Sequence, residues 1–589
     1  MPDPQANQGV HVDFDVPATM RDGITLRANI YRPAAEGAYP VLLTRLPYGK
    51  DFPLGSSVLD PVKAARQGYI TVVQDTRGRF TSEGDWYPLR DEGPDSYDSI
   101  EWAATLPGSN GKVGTYGASY FGFTQWVGAI QSPPHLAAMV PYITWANPHD
   151  GVFSRGGALE LGIQASWLLE TGLDTVLRRE RGNPDPRVGY AKMVALAQEI
   201  DRLPAEGYQS LPLKAFEPFR RTNLGESFFD GIEHPFAPEY SAPSTILGHH
   251  GKVNVPCYNA GGWYDIFLAG TLRNFQEMRA HGATPEARQA RLLIGPWSHT
   301  NASNTVGDTA FGYGASAALI NLQIDFMSLQ LRWFDRWLKG IENGVDREPP
   351  VKIFVMGENV WRDEQEWPLA RALPTPFYLH SGGHANTLEG DGSLTTELPS
   401  DESADRFEYD PLNPVPTLGG SLLMPAVYRS GAINQQPIER RDDMLVYTSA
   451  PLEHDLEVTG PITVTLWAAS SAPDTDFVAR LVDVHPDGFA RNLTDGIIRA
   501  RYRHGLQTPE LLEPGKAYEY TIDLWATSNL FKAGHRIRLD ITSSNFPRWD
   551  RNLNTGHEIG ADAEVQSATQ TILHSREYPS HVLLPVVPR

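Results

Sequence analysis

Cysteine is almost missing from this chain. Cys257 stands alone among 589 residues, which excludes an intramolecular disulfide and a thiolate metal cluster. Its setting, Val255-Pro256-Cys257-Tyr258, reads as a buried strand thiol. Basic residues are outnumbered, 50 Lys and Arg against 71 Asp and Glu, and the net charge of −21 argues against nucleic acid or an anionic membrane as partner. No uncharged apolar run is long enough to span a bilayer. Met1-Pro2-Asp3-Pro4-Gln5 has neither the basic nor the apolar stretch of a secretory leader, so a soluble cytoplasmic protein is expected. No H-E-x-x-H, EF-hand loop or Gly-rich dinucleotide fingerprint is present, and neither a metal nor an organic cofactor is expected.

What is present is a globular composition, 41% hydrophobic and 21% charged, in a chain long enough for several cores. Residues 1–146 alternate strand-like runs (Leu26 to Tyr31, Tyr39 to Arg45, Tyr69 to Asp75, Lys112 to Tyr116) with a helical pattern from Asp95 to Thr105 that would bury Ile100 and Trp102. That alternation predicts a largely parallel sheet covered by helices. Residues 147–248 read as a helical cap, with helices at Leu159 to Glu170, Asp174 to Arg181 and Tyr190 to Ile200. The α/β pattern resumes over 249–350, with strands at Val255 to Asn259 and Ala290 to Ile294 and a helix from Leu319 to Leu338. Residues 351–589 carry short alternating runs between Gly, Pro and Asp turns, the pattern of a jelly-roll β-sandwich. Ser381 to His384 and Leu388 to Asp405 read as surface loops.

One decapeptide carries chemistry. In Val113-Gly114-Thr115-Tyr116-Gly117-Ala118-Ser119-Tyr120-Phe121-Gly122 an apolar run breaks at a serine fenced by small residues and resumes as a helix. Such a serine sits on the sharp strand-to-helix turn of a nucleophile elbow, where close packing demands small neighbours. The match to G-x-S-x-G is imperfect, because Phe121 occupies the second glycine position and Gly122 follows it.

A serine nucleophile needs a histidine base and a carboxylate to orient it, in the chain order serine, acid, histidine. Asp265 ends Gly261-Gly262-Trp263-Tyr264-Asp265 after one strand, and His299 ends Gly295-Pro296-Trp297-Ser298-His299 after the next. His249 and His250 precede Asp265 and break the order, and His234 falls in the cap. Asp75 also closes a strand, but in Asp75-Thr76-Arg77 it reads as half of a structural Asp-Arg pair. The backbone N–H of Tyr120 is one expected oxyanion donor. Tyr48, in Pro47-Tyr48-Gly49-Lys50 after an early strand, either offers its hydroxyl as the second donor or only packs.

Together, Tyr48 in its P-Y-x-K context, Gly117 to Gly122, Gly262-Trp263-Tyr264-Asp265 and Gly295-Pro296-Trp297-Ser298-His299 resemble the cocaine esterase branch of the Xaa-Pro dipeptidyl-peptidase-like (CocE/NonD) serine hydrolases, over essentially the whole chain. The resemblance implies an α/β-hydrolase domain with an inserted helical domain and a C-terminal jelly roll. It implies Ser119 as nucleophile, His299 as base, Asp265 as orienting acid, and Tyr48 with Tyr120 as oxyanion donors. The family's S-Y-x-G spacing accounts for Gly122. It further implies an acyl pocket at Trp167, Phe267, Leu423 and Met424, suited to a bulky or aromatic ester. Relatives that cleave Xaa-Pro amides or α-amino-acid esters must hold an ammonium, for which Asp150, Glu160 and Glu239 are the candidate carboxylates. A reading of another class is an inert hydrolase whose jelly roll binds carbohydrate. Long jelly-roll strands allow a homodimer.

Overall fold

The computed structural model describes residues 9–588; Met1 to Gln5, read above for a leader, lie outside them. The N-terminal half is organised by a ten-stranded sheet: β1 (Val10–Thr19), β2 (Thr25–Pro33), β3 (Tyr39–Leu46), β4 (Ile70–Asp75), β5 (Ser109–Ala118), β6 (Leu136–Tyr142), β7 (Tyr258–Tyr264), β8 (Arg291–Ser298), β9 (Val351–Val355) and β10 (Val360–Glu364). Their spatial order is β1-β2-β4-β3-β5-β6-β7-β8-β9-β10. The run from β4 to β9 is parallel, with antiparallel strands at both margins. Central strands read as near-continuous apolar runs because helices cover both faces: in β3 every residue after Tyr39 is buried, and all of β7 and β8 are.

The expected boundary at residue 350 falls inside this sheet. β9 pairs with β8 from Leu292↔Val351 to Ile294↔Ile353, and β10 folds back on β9, so both strands belong to the α/β layer. Their short alternating patterns cannot be told from sandwich strands, since what separates the two is the partner across the hydrogen bonds. The helix expected from Leu319 begins only at Phe326. Asn321 and Leu322 take left-handed backbone (φ +51° and +58°), and Asp325 caps the helix, its Oδ1 accepting from Ser328 N–H at 2.8 Å. Trp102 is half-buried where full burial was expected, whereas Ile100 is in the core. Asp75 pairs with Lys50, not with an arginine. Its Oδ1 accepts the Lys50 N–H at 2.6 Å and its Oδ2 lies 3.3 Å from Lys50 Nζ, while Arg77 turns to Asp95.

Between β6 and β7 the chain leaves the sheet for a helical unit. Two expected helices are one, Leu161–Arg179, followed by Pro186–Arg202. After β10 comes an all-β domain around an eleven-stranded sheet, whose longest pair, Leu456–Ser470 and Tyr518–Phe531, runs antiparallel from Leu456↔Phe531 to Ala468↔Tyr518. The stretch expected as a surface loop up to Asp405 contains a strand, Ser393–Thr395, and ends on a buried carboxylate. Asp405 accepts hydrogen bonds from Tyr447 and Ser381 and pairs with His574. Among the described residues no helix is long and apolar enough to cross a membrane.

The cap is fastened to the all-β domain by buried polar groups. Arg155 donates to the carbonyls of Asp495 (2.6 Å) and Asp523 (3.0 Å) with its guanidinium over the Trp525 ring. Trp549 Nε1 donates to Glu160 Oε1 at 2.8 Å, and Arg548 Nε is 3.9 Å from Oε2, which has no hydrogen bond. Burial pushes the Glu160 carboxyl up to about 7, against the pull of Arg548. The folded chain therefore holds a proton there that the unfolded chain releases near its ordinary value, so stability falls as pH rises from about 4.5 to 7 and stays reduced above. Glu160→Gln keeps the acceptor for Trp549 and removes a penalty of up to about 3 kcal/mol. The variant should unfold at a higher temperature than wild type at pH 8, with the gap closing at pH 5. Equal gaps at both pH values would refute this.

Candidate active site

The candidate residues converge at the C-terminal ends of neighbouring strands, the edge where parallel sheets gather function. Ser119 is the first residue of the helix Ser119–Ala129, directly after β5, and has φ +55°, a conformation that costs a non-glycine residue on the order of 1–3 kcal/mol. The surroundings hold it there. Ser119 N–H donates to the Ile143 carbonyl at 3.2 Å, its carbonyl accepts from Thr144 Oγ1 at 3.0 Å, and Gln125 Nε2 donates to the carbonyls of Gly117 and Phe121. Two glycines are required by contact. A Cβ on Gly117 (φ +144°) would meet Phe121 at 2.3 Å, and one on Gly122 would lie 2.9 Å from Thr144 Cβ, where the helix crosses the end of β6.

Asp265 follows β7 and is fully buried; Oδ1 accepts the Phe267 N–H at 2.5 Å, which fixes the carboxylate and leaves Oδ2 for histidine. His299 follows β8. Its Nδ1 lies 2.9 Å from Asp265 Oδ2 and its Nε2 3.0 Å from Ser119 Oγ, with the Phe267 ring edge-on against the imidazole. With Asp265 accepting from Nδ1–H, Nε2 presents its lone pair to the serine hydroxyl. Of the other histidines, His250 is buried against Asn274 and His234 rests beside Tyr240.

Tyr48 sits in the loop after β3. Trp167 Nε1, a donor only, gives its proton to the Tyr48 hydroxyl at 3.1 Å, so the Tyr48 proton is free to point towards Ser119. Burial pushes the phenol up to about 12, which keeps it protonated as a donor must be. The Tyr120 N–H lies in the first helical turn, where no intrahelical acceptor exists. Tyr120 itself is anchored from below, its hydroxyl donating to Glu92 Oε1 at 2.9 Å and accepting from Leu89 N–H at 3.0 Å. Arg79 Nε donates to the Pro47 carbonyl at 2.8 Å and Nη2 to the Thr171 carbonyl at 3.0 Å, tying the Tyr48 loop to the helix that carries Trp167.

A family model for X-Pro dipeptidyl-peptidase (S15 family) matches residues 22–301, and one for the X-Pro dipeptidyl-peptidase C-terminal non-catalytic domain matches 343–583. The cocaine esterase of Rhodococcus sp. (strain MB1 Bresler) is 38% identical over 98% of this chain and 99% of its own length. The chain belongs to the CocE/NonD family of X-Pro dipeptidyl-peptidase-like serine hydrolases. An α-amino acid ester hydrolase and an aminopeptidase from the marine sediment archaeon Thaumarchaeota archaeon share its fold. Each has a TM-score of 0.78 at 24% identity, covering 100% of this chain and 98% of its own.

In this CocE/NonD hydrolase two cavities meet at Ser119. One, of about 730 Å³, opens on the His299 side and is walled by Val58, Tyr142, Ala302, Phe326 and Met327. The other is a slot of about 40 Å³ on the Tyr120 side, walled by Trp145, Phe153, Ile163, Leu168 and Phe267. Trp167 and Leu423 border both, so cap and all-β domain each contribute a side chain. Met424, expected in the pocket, lines neither. It packs against Gly162 among the cap's apolar residues, because the backbone that turns Leu423 inward turns its neighbour away. Trp145, Ile163 and Phe326 went unforeseen; only Ile163 had a signal, four residues before Trp167 on the same helical face.

Tyr48→Phe should lower kcat for p-nitrophenyl butyrate roughly 10²- to 10³-fold, the effect of losing one oxyanion donor. A loss under about threefold would leave Tyr48 a packing residue.

Proposed function

We propose that this serine esterase cleaves its substrate by two acyl transfers through Ser119. His299 takes the Ser119 proton as Oγ attacks the ester carbonyl, and the Tyr48 hydroxyl and Tyr120 N–H hold the oxyanion. The alcohol leaves with the proton from His299, and water then repeats the sequence on the acyl-enzyme. The observation that carries the reading is the unbroken hydrogen-bonded line from Asp265 through His299 to Ser119. Because His299 must protonate the leaving group, the wide cavity beside it is the alcohol site and the slot beside Tyr120 the acyl site. Aromatic walls and the narrowness of the slot favour a planar acyl group over a branched one, so of the bulky or aromatic groups expected, the flat aromatic ones are favoured.

The amine-recognising alternative has little support, since no carboxylate lines the slot. Glu160 is engaged with Trp549, Asp150 accepts from Trp525 Nε1, and Glu239 is exposed on the cap. The inert-binder reading has against it that all three triad members are present and bonded. The cytoplasm is the compartment proposed, in keeping with the single buried thiol, and a homodimer through the long β strands is the assembly proposed.

A panel of p-nitrophenyl acetate, butyrate and benzoate with α-amino-acid esters and Xaa-Pro amides tests the proposal. Aryl or simple alkyl esters should be preferred at least tenfold in kcat/KM, and Ser119→Ala should abolish turnover of all of them. Preference for the last two classes would overturn the assignment, and equal rates for wild type and Ser119→Ala would overturn the mechanism.

A further inference from the structure

Far from the catalytic strand ends in sequence, the all-β domain gathers three metal-ligating groups that the hydrolytic reaction does not use. Asp483 and His485 stand two apart at the end of the strand Asp476–Val484, a spacing that puts both side chains on one face. The neighbouring strand Arg536–Thr542 pairs antiparallel with it, Asp483 against Ile537 and Val484 against Arg536, and one further step of that register sets His535 opposite His485. The two imidazoles pack with ring centres 4.4 Å apart and planes tilted by 35°. His535 Nδ1 is 2.8 Å from Asp483 Oδ1, His485 Nε2 is 3.9 Å from Oδ2, and one donor atom from each of the three residues lies within 4.8 Å of the others.

Two features distinguish this group from an ordinary hydrogen-bonded cluster. His485 Nε2 is buried yet has no hydrogen-bond partner, although it faces a carboxylate. The carboxylate is also fixed from behind: Arg491 Nη2 (2.7 Å) and Asn529 Nδ2 (3.3 Å) both hold Oδ2, and Asn529 Oδ1 in turn accepts from Arg491. Outer contacts of this kind orient a ligand and leave its other oxygen for a metal. Asp483 is fully buried, whereas the side chains of His485 and His535 keep 29% and 13% of their exposure, so an ion has a path in.

We propose that Asp483 Oδ1, His535 Nδ1 and His485 Nε2 form a binding site for a borderline first-row dication such as Zn²⁺. Two imidazoles and one carboxylate are a donor set that zinc accepts, with water completing the tetrahedron. Donor atoms around tetrahedral zinc lie about 3.3 Å apart, given bonds of about 2.0 Å; His535 Nδ1 stands 2.8 Å from Asp483 Oδ1, one donor atom from each of the three residues lies within 4.8 Å of the others, and a small inward turn of the His485 ring would close the set on the ion. The His535 N–H to Asp483 hydrogen bond gives way to the ion, and both imidazoles bind neutral. Arg491 offsets the carboxylate charge, which sets the expected affinity in the micromolar range. The bound ion would staple the strands carrying Asp483 and His535, in the domain whose Asn492 carbonyl accepts the hydroxyl of Tyr264, the residue before Asp265.

Isothermal titration of the EDTA-treated full chain with ZnCl2 tests the site. One equivalent should bind with micromolar Kd, and His485→Gln and His535→Ala should each weaken it at least tenfold. His557→Ala, in the exposed His557–Asp562–Glu564 group, should leave that equivalent unchanged. Co²⁺ in place of Zn²⁺ should give tetrahedral visible absorption in wild type that His485→Gln lacks. Hydrolysis of p-nitrophenyl acetate checks that each variant is folded. No binding at millimolar Zn²⁺, or binding that folded His485 and His535 variants retain within threefold, overturns the proposal.

Discussion

The left-handed backbone at Ser119 is the constraint on which the site depends. A side chain at φ +55° is driven out of the line of β5 and away from the helix that follows, and it stays there only because its neighbours leave no alternative. Gly117 and Gly122 let Phe121 and Thr144 close in, Gln125 gathers the loosened carbonyls, and the Ile143 carbonyl takes the serine N–H. The same turn starts the helix at Ser119, which leaves the Tyr120 N–H without an intrahelical acceptor beside the Ser119 side chain. The proposed nucleophile and one proposed oxyanion donor thus come from one distortion, and neither can be moved without the other.

The other groups reach Ser119 from separate strand ends, so their spacing is the spacing of the sheet. β7 and β8 are adjacent parallel strands, and the residue that follows each falls into line: Asp265, after β7, meets His299, and His299, after β8, meets Ser119. β3 lies on the far side of β5 and brings Tyr48 from the opposite direction. That tyrosine belongs to no regular element, and its placement is shared with the cap through Trp167 and Arg79. The placement of Tyr48, the proposed second oxyanion donor, is thus held in part by the cap.

Residue order and local pattern carried much of this. Strands β2 to β5 and β8 could be read from apolar runs and the elbow from its small residues, because both are local consequences of packing, whereas β6 was not foreseen and β7 lies three residues further on than expected. What sequence left unread was long-range. Val351 to Val355 alternates like any sandwich strand and only its pairing with β8 assigns it. Lys50 reaches Asp75 from the loop after β3, although Arg77 is nearer in the chain. Leu423 and Met424 are neighbours of like character, and which of them faces the serine is decided by backbone direction in a loop. The metal-ligating trio has the same cause. An Asp-x-His pair is unremarkable until strand register sets His535 against it.

On the proposed reading, ester and ammonium substrates are separated by where carboxylates end up, not by how many there are. The cap has acids in number, and a serine hydrolase that binds an α-ammonium needs at least one beside the acyl group. In this chain the buried candidates face the other way: Glu160 and Asp150 each accept from a tryptophan of the all-β domain, and burial raises both carboxyls. A carboxyl so raised is a poor partner for a cation and a sound acceptor for an indole N–H. Glu160 and Asp150 serve instead to join cap and all-β domain, and no carboxylate lines the slot proposed for the acyl group, whose walls are largely aromatic.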